Sequence, residues 1–168
     1  AGAPRARYRS RRRPCVRIHP SAMLYESPIG LLCIESDGTA LRRLYLCTDG
    51  HDTGINDHLE IATATWLDAY FSRRPLPPLP AVRAEGSPFR KRVWAEMSRI
   101  AYGHTMSYGE LARRVHSSAR AIGGAVGANP VAIILPCHRV IAADGSIGGY
   151  AYGQDAKRTL LELEKDAL

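Results

Sequence analysis

Four prolines lie within the six residues 75–80, and no other feature limits the fold of the chain as strongly. Each proline lacks an N–H donor and fixes φ, so this segment can form neither a helix interior nor an internal strand. Short strand-like runs precede it and helical patterns follow it. We therefore predict an N-terminal domain at residues 23–86, which includes this Pro-rich linker, and a C-terminal domain at residues 87–168.

Charge is distributed unevenly along the chain. Residues 1–22 contain seven arginines and no acidic residue, residues 23–86 contain five basic and nine acidic residues, and residues 87–168 contain eleven and seven. The arm at 1–22 has no apolar periodicity, so we expect it to be disordered. A basic arm and a basic C-terminal half indicate a polyanionic partner, nucleic acid first, although a solvated tail with a chance asymmetry explains the charges equally well.

Two broad classes of protein are excluded at this level. No run approaches the roughly 18 consecutive apolar residues of a membrane span, which excludes an integral membrane protein. The cysteines, at positions 15, 33, 47 and 137, form no Cys-x-x-Cys pair. A disulfide scaffold and a four-cysteine zinc site are therefore not encoded. We interpret Cys33 and Cys47 as inert core residues.

The N-terminal domain is predicted to be an antiparallel sheet followed by one helix. Turn sequences at 27–30 and 36–38 separate short apolar runs, which is typical of an antiparallel meander. The strands are predicted at 24–26, 31–35 and 41–47. Apolar residues near helical spacing then predict a helix over 57–71, with Asn56 or Asp57 as its N-cap.

The C-terminal domain is predicted to contain a helix-turn-helix. Ser87 and Pro88 begin a helix whose apolar stripe extends to Ile100. A Ser-x-x-Glu capping box at 107–110 begins a short helix, and a second short helix is predicted over 119–126. The fold class is therefore α/β of the α+β type, with a small sheet-and-helix domain and a mainly helical domain that contains a winged-helix-like helix-turn-helix.

The second of these short helices consists almost entirely of small residues. Gly123 and Gly124 lie within it and Gly127 follows it. A glycine inside a helix costs about 1 kcal/mol relative to alanine, so these glycines need an explanation. Close approach of the helix to a partner is one explanation, and tight packing against a neighbouring helix is the other.

Cys137 differs from the other cysteines in its surroundings. It follows the apolar run 131–135, which predicts a buried strand, and it lies between Pro136 and His138. A thiolate is the reactive form of cysteine, and a neighbouring imidazole or helix N-terminus can lower the pKa of the thiol to about 3.5–7.5. Cys137 is thus a candidate nucleophile, with an inert core thiol as the alternative.

Several motifs in a fixed order resemble the O6-alkylguanine-DNA alkyltransferases, also called methylated-DNA–protein-cysteine methyltransferases. The resemblance extends from about Met23 to Glu164. Its motifs are Ser-Pro-Phe at 87–89, Val-Trp at 93–94, Thr-Met-Ser-Tyr-Gly-Glu-Leu-Ala at 105–112, Arg-Ala-Ile-Gly at 120–123, Asn-Pro at 129–130, Pro-Cys-His-Arg-Val at 136–140 and Gly-Tyr at 149–150. The shared order of these motifs makes the resemblance specific.

The resemblance implies direct repair of alkylated DNA. Cys137 is then the acceptor of the alkyl group, His138 takes the thiol proton through a bound water, and Glu164 orients His138. Glu162 competes with Glu164 for this role, and only the spacing to the family favours Glu164. Asn129 corresponds to an asparagine that holds the turn before the active-site segment. The product is a thioether, so each molecule acts once, and no cofactor is needed.

The resemblance also assigns residues to DNA and to the alkylated base. Arg120 enters the duplex where the target nucleotide was, and Tyr108 contacts the adjoining phosphate and the flipped guanine. The residues assigned to the substrate pocket and its support are Val126, Asn129, Val140, Tyr150 and Ala151. The resemblance implies that the second short helix lies in the minor groove, which its small residues would let its backbone approach. Because this helix has almost no long polar side chains, we expect it to bind without sequence preference.

The implied partner is double-stranded DNA that carries O6-alkylguanine, and membranes are not implied. We expect a monomer in the cytoplasm, associated with the nucleoid if the source is bacterial. The zinc ligands that some relatives carry have no counterpart in this chain, so we predict no metal.

The chain departs from the family pattern in one turn and in the pocket. The turn between Val115 and Arg120 is shorter than usual, Ala151 replaces a serine of some members, and Tyr152 replaces a glycine of some members. We expect the ring of Tyr152 to narrow the pocket. Reaction with free benzylated guanine should therefore be poor, and reaction with methylated DNA should be retained.

Two other functions could use the same residues. A cysteine hydrolase would pair Cys137 with His138, but adjacent side chains usually point apart and no second histidine lies at a papain-like spacing. A binding module would flip damaged guanine without repairing it, but that class lacks the nucleophile that Cys137 supplies. Transfer of an alkyl group to Cys137 is the observation that separates the three functions.

Overall fold

The structure is a computed structural model that describes residues 22–48 and 56–165. The predicted arm at 1–22 lies outside this part of the chain, except for Ala22. In chain order the elements are β1 (Met23–Ser27), β2 (Gly30–Ser36), β3 (Leu41–Leu46), α1 (His58–Phe71), α2 (Pro88–Met97), β4 (Met106–Ser107), α3 (Tyr108–Arg114), α4 (Ala119–Gly127), a 3-10 helix (Cys137–Arg139), β5 (Val140–Ile141) and α5 (Gln154–Lys165).

The N-terminal half has the predicted meander and helix. Strands β1, β2 and β3 pair antiparallel in that order, with Leu32 of β2 opposite Leu46 of β3. The N-cap of α1 is Asp57, whose side chain accepts hydrogen bonds from the N–H groups of Leu59 and Glu60. This capping box fixes where the helix begins. Helix α1 then packs on the sheet and closes the N-terminal core.

The C-terminal half is mainly helical. Helices α3 and α4 are joined by residues 115–118 and form the predicted helix-turn-helix. The indole Nε1 of Trp94 in α2 donates to the carbonyl oxygen of Ala125 in α4 at 2.9 Å, which holds these two helices together. Helix α2 ends at Met97, earlier than the predicted stripe to Ile100, because tight turns follow it. The predicted α+β fold class is confirmed.

The predicted strand at 131–135 is wrong, although the segment is buried as expected. The N–H of Leu135 donates to the carbonyl oxygen of Val131 at 3.0 Å, which closes a tight turn. Ile133 lies in the left-handed region at φ 69°, where a β-branched residue is strained and where no strand residue lies. Val131 pairs with Leu44 of β3 through a single bridge. The run is apolar because it turns inside the core.

Two hydrophobic clusters lie in the fold, and they do not follow the two halves of the chain strictly. One cluster combines β2, β3 and α1 with the buried turn 131–134 and with Leu160 of α5. The other combines α2, α3 and α4 with Cys137 and Val140. Because C-terminal residues complete the N-terminal core, the halves pack together, and the domain limit near residue 86 stays a prediction.

Cys33 and Cys47, which we interpreted as inert core residues, both lie in the N-terminal sheet region. Cys33 is buried in β2, and Cys47 follows β3 and is partly exposed. Their sulfur atoms are 2.7 Å apart. Neither residue lines the cavity at Cys137.

Candidate active site

Cys137 lies at a cavity between the helix-turn-helix and the loop that precedes α5. The volume of this cavity is about 250 Å³. Its lining consists of Tyr108, Gly123, Val126, Gly127, Asn129, Cys137, Gly149, Tyr150, Ala151 and Tyr152. The structure thus brings together most of the pocket residues that the sequence suggested. Val140, whose backbone the resemblance assigned to the pocket, is not among the lining residues, and its side chain is buried in the second hydrophobic cluster.

The thiol of Cys137 is almost fully buried. The residue is 4% exposed, and its Sγ is 3.9 Å from the hydroxyl oxygen of Tyr150. Burial raises the pKa of Cys137, and hydrogen bonds to Asn129 and Tyr150 oppose this effect only in part. The effect of burial is thus opposite to the lowering of the pKa that a neighbouring imidazole can produce. The resting group is a thiol that a base must deprotonate.

His138 lies directly against Glu164 of α5. Nε2 of His138 and Oε1 of Glu164 are 2.6 Å apart, and both residues are buried. Nδ1 of His138 has no hydrogen-bond partner among the described residues. Because Nε2 donates to the carboxylate, Nδ1 carries the lone pair of the neutral ring and is its basic atom. Glu162, the competing candidate, is exposed.

Burial and partner charges set the protonation states of this pair. Burial lowers the pKa of His138, and the adjacent carboxylate opposes this effect only in part, so the imidazole is neutral at neutral pH. Burial alone would raise the pKa of Glu164, but hydrogen bonds from His138 and Arg139 outweigh it and lower the pKa to about 2. The resting pair is a neutral imidazole beside a carboxylate, as a general base requires.

The carboxylate of Glu164 has further donors that the sequence analysis did not identify. Arg139 donates through Nε to Oε2 at 2.8 Å and through Nη2 to Oε1 at 3.0 Å. The N–H of Gly103 donates to Oε2 at 3.3 Å, and the hydroxyl of Tyr70 in α1 donates to Oε1 at 2.6 Å. A role for Arg139 could have been predicted from the sequence. It lies in the cysteine motif, which follows a run expected to be buried, and an arginine is almost never fully buried unless an acidic residue pairs with it. Tyr70 lies far from the motif and offered no signal.

Asn129 holds the tight turn that leads to Cys137. Its Oδ1 accepts from the N–H of Val131 at 3.0 Å, and its Nδ2 donates to the carbonyl oxygen of Leu135 at 2.7 Å. These bonds span the turn and offset the strained backbone of Ile133. Asn129 also lines the cavity, so one side chain supports both the turn and the pocket.

A buried lysine, Lys157 of α5, supports the cavity wall and was also missed by the sequence analysis. Its Nζ donates to the carbonyl oxygens of Val140 at 2.6 Å and Gly149 at 3.2 Å, and it lies 5.9 Å from the ring centre of Tyr108. Burial lowers its pKa to about 8. Its charge opposes the increase in the pKa of Cys137. Nothing in the sequence distinguishes this lysine from an exposed one.

Three tyrosines form much of the cavity wall. Burial raises the pKa of Tyr108 and of Tyr150, so both hydroxyls are protonated at neutral pH and can donate hydrogen bonds. The rings of Tyr150 and Tyr152 meet edge to face at 5.5 Å. Ala151 lies between these two in the chain and also lines the cavity. The narrowing of the pocket by Tyr152 stays a prediction.

One surface of α4 is bare backbone, and we call its three residues, Gly123, Gly124 and Gly127, the glycine face. A Cβ atom built on any of them would meet no atom within 4 Å. Tight packing against a neighbouring helix therefore does not explain these glycines. Among the described residues nothing occupies the space in front of these glycines, so close approach to a partner stays the prediction. Arg120 is exposed near the start of the same helix.

The described residues contain neither a metal-binding cluster nor a helix that could span a membrane. Within residues 22–48 and 56–165, no three His, Cys, Asp or Glu side chains gather as metal ligands would. None of the helices there has the length and hydrophobicity needed to cross a bilayer. Cys15 lies outside these ranges, so the absence of a metal stays a prediction.

Comparison with known protein sequences gives a consistent set of relatives. Residues 88–166 match the family model described as 6-O-methylguanine DNA methyltransferase, DNA binding domain. The methylated-DNA–protein-cysteine methyltransferase of Haemophilus influenzae is 35% identical over 156 residues, which cover 84% of each chain. That of Mycobacterium leprae is 40% identical over 155 residues, which cover 88% of this chain and 93% of its own.

Solved structures agree with these sequence relatives. The crystal structure of the Mycobacterium tuberculosis O6-methylguanine methyltransferase matches with a TM-score of 0.78 at 36% identity, covering 88% of this chain and 94% of that one. A crystal structure of the protein from the same organism in complex with DNA matches with a TM-score of 0.77 at 38% identity, covering 86% and 92%. The chain therefore belongs to the family of methylated-DNA–protein-cysteine methyltransferases, which repair O6-methylguanine in DNA.

Proposed function

We propose that the chain transfers the alkyl group of O6-alkylguanine in double-stranded DNA to the Sγ atom of Cys137. The observation that carries this proposal is the position of the thiol. Cys137 lines a cavity, and the neighbouring His138 is paired with Glu164 at 2.6 Å. The proposed base follows the proposed nucleophile in the chain and is hydrogen-bonded to the proposed orienting acid. A nucleophile, a base and an acid of these types can together activate a weak nucleophile.

The proposed reaction is a single displacement. His138 takes the thiol proton at Nδ1, through a bound water as the family resemblance implies, and Glu164 stabilises the imidazolium that forms. The Sγ atom bonds to the alkyl carbon while the bond between that carbon and O6 of guanine breaks. The electrons of the broken bond remain on guanine, which then regains a proton. Hydroxyl donors of Tyr108 and Tyr150 offset the negative charge that develops on the base.

The proposed product is a thioether on Cys137. Water does not hydrolyse a thioether, so the thiol is not regenerated and each molecule acts once. The reaction needs no cofactor, because the thiol is the nucleophile and the repaired base is the leaving group.

We propose that the glycine face of α4 enters the minor groove of DNA. A helix can approach the floor of a narrow groove only where its side chains are small, and the open space in front of these glycines supports such an approach. Arg120 at the start of α4 would enter the duplex in place of the flipped nucleotide. Because α4 offers few long polar side chains to base edges, binding is independent of sequence. The basic residues of 87–168 attract the phosphates.

We propose that the active form is a monomer bound to a DNA duplex. Each group that the proposed chemistry uses comes from one chain, so no second copy is required to complete the site. Since the substrate is damaged chromosomal DNA, the proposal implies that the protein acts where that DNA lies. In a bacterium this is the nucleoid in the cytoplasm.

Mass spectrometry after exposure to a duplex that contains O6-methylguanine tests the proposal. We expect the peptide that holds Cys137 to gain the mass of one CH₂ group, with a yield that saturates at one equivalent of lesion. The Cys137→Ser variant should lose the transfer and keep DNA binding. Cys47→Ser, a change of the same kind in the N-terminal sheet region, should keep both.

The competing functions give different results in the same experiment. Tight binding of the damaged duplex without a gain in mass would indicate a binding module. Peptide cleavage that depends on Cys137 would indicate a hydrolase. Either result contradicts the proposal, as does turnover well beyond one equivalent.

A further inference from the structure

The acid of the proposed active site is also held by the N-terminal half of the chain. Tyr70 lies in the last turn of α1 and is 1% exposed, and its hydroxyl donates to Oε1 of Glu164 at 2.6 Å. The same hydroxyl oxygen is 3.5 Å from Nε2 of His138. Oε1 is also the carboxylate oxygen that faces His138. One hydroxyl of the N-terminal half thus reaches both the proposed base and the carboxylate that orients it.

We infer that Tyr70 is a positioning residue for alkyl transfer, whose hydroxyl holds Oε1 of Glu164 against Nε2 of His138 and limits how strongly the carboxylate stabilises the imidazolium. The inference rests on the proposed function of Cys137. It gives the N-terminal half a part in the chemistry, which the C-terminal half otherwise supplies.

The ring of Tyr70 is fixed by aromatic neighbours on several sides. It stacks on Trp66 at 5.3 Å, and it meets Phe71 and Tyr102 edge to face at 5.2 and 5.9 Å. Packing of this kind leaves a ring little freedom. The direction of the hydroxyl is therefore set by the core and not by Glu164. A donor with a fixed position can hold a carboxylate, whereas a mobile donor would follow it.

The hydroxyl of Tyr70 is a donor whenever the protein is folded. Burial, together with the adjacent carboxylate, raises the pKa of Tyr70 far above its usual value. The charged groups that face His138 are Glu164 and Lys157 from α5 and the adjacent Arg139. The two cations lower the pKa of His138, and the carboxylate raises it. Each donor to Glu164 weakens the effect of the carboxylate, and Tyr70 adds a donor without adding a charge.

The Tyr70→Phe variant removes the hydroxyl and keeps the ring. Without this donor the carboxylate of Glu164 holds more of its charge, so the pKa of His138 rises. We therefore expect the acid limb of the pH–rate profile to move to higher pH. Oε1 also loses a fixed partner, so we expect the limiting rate of methyl transfer to fall about tenfold, without a comparable change in DNA affinity.

Tyr25→Phe is the matched control. The hydroxyl of Tyr25 donates to Oδ1 of Asp68 at 2.7 Å, so this variant also removes a bond between a hydroxyl and a carboxylate from the N-terminal half. Single-turnover methyl transfer is measured for the wild type and both variants across a range of pH at saturating duplex. Histidine ¹⁵N NMR reports the pKa of His138, whose signals are identified by their loss in His138→Gln.

A slower limiting rate, a shifted acid limb and a raised pKa of His138 in Tyr70→Phe, but not in Tyr25→Phe, would support the inference. A Tyr70→Phe variant that matches the wild type in all three would overturn it, as would equal losses in both variants. The wild type separates this inference from the proposed function. If the wild type leaves Cys137 unmodified, the proposed function fails, whereas a methylating wild type and an identical Tyr70→Phe variant refute the role of Tyr70 alone.

Discussion

The carboxylate of Glu164 and the glycine face of α4 differ in burial and in the contacts they make within the chain. The carboxylate is buried, and its hydrogen-bond donors are His138, Arg139, Tyr70 and the N–H of Gly103. The glycine face presents exposed backbone, and a Cβ atom added to any of its glycines would meet no described atom within 4 Å. The hydrogen-bond donors of the first region come from the described residues, whereas the second leaves open the space in which we propose that DNA binds.

The difference separates the chemistry of the protein from its binding. A buried charge must be satisfied within the fold, because a buried ion that loses its partner costs several kcal/mol. The donors around Glu164 therefore stabilise the fold, and we propose that they also support the reaction. Glycines in a helix lower the stability of the fold, but they leave space beside the backbone that a side chain would fill. We expect changes around Glu164 to harm stability and transfer together, and changes on α4 to move stability and binding in opposite directions.

Of the variants considered, Glu164→Gln should cause the largest losses of stability and of methyl transfer. The amide cannot neutralise Arg139, which is left as a buried cation, so we expect the free energy of unfolding to fall by about 3–5 kcal/mol. Methyl transfer should fall at least about 100-fold, because His138 loses its orienting acid. Urea unfolding and single-turnover transfer measure the two effects. Glu162→Gln, at an exposed position of the same helix, is the control, and equal losses there would contradict the prediction.

Acid should destabilise the same network over a defined range of pH. The pKa of Glu164 is about 2 in the fold against an ordinary value of 4.5, so the folded state binds the proton less tightly than the unfolded state. The stability that this carboxylate contributes is complete above pH 4.5 and is lost as the pH falls toward 2, by roughly 3 kcal/mol. Urea unfolding at several pH values measures this loss. The Glu164→Gln variant should lack this part of the pH dependence, and an unchanged slope would refute the assignment.

Tyr152→Gly should widen the pocket without touching the proton relay. We propose that the ring of Tyr152 disfavours free benzylated guanine, so its removal should increase the rate of benzyl transfer about tenfold. Transfer from a methylated duplex should change much less, since a methyl group needs little room. Labelling with a fluorescent benzylated guanine measures the first rate, and the methylated duplex is the internal control. Rapid benzyl labelling of the wild type would show that the ring does not narrow the pocket.

Gly124→Ala should give the smallest effects, and they should differ in sign. Alanine is favoured over glycine in a helix, and its Cβ would enter open space, so the free energy of unfolding should rise by about 1 kcal/mol. DNA affinity should fall, because the added methyl group holds α4 away from the groove. Gly124→Leu should extend the series to about a tenfold loss of affinity. Thermal unfolding measures the stability of both variants, and fluorescence anisotropy with a labelled duplex measures their DNA affinity. Unchanged affinity in Gly124→Leu would exclude the glycine face from the DNA interface.

Short-range sequence patterns predicted most helices and strands, but they did not predict the backbone of the segment before Cys137. Ser107 begins α3 as predicted, and Asp57, one of the two predicted caps, begins α1. The bonds of these caps reach no further than three residues. The run at 131–135 predicted a strand and forms a turn. Its apolar composition reports burial, and burial does not distinguish an extended backbone from a folded one. The hydrogen bonds of Asn129 and the left-handed φ of Ile133 decide that path.

Contiguous motifs were enough to predict the helix-turn-helix and the family, because each depends on residue types at a short, fixed spacing. The role of Cys137 as the reactive thiol stays a prediction. Only the folded chain shows that Glu164 rather than Glu162 meets His138, that burial keeps Cys137 protonated, and that Tyr70 joins the same carboxylate. The reason is that hydrogen bonds act over about 3 Å and desolvation depends on surrounding atoms. Residues far apart in the chain come within that distance only when the protein folds.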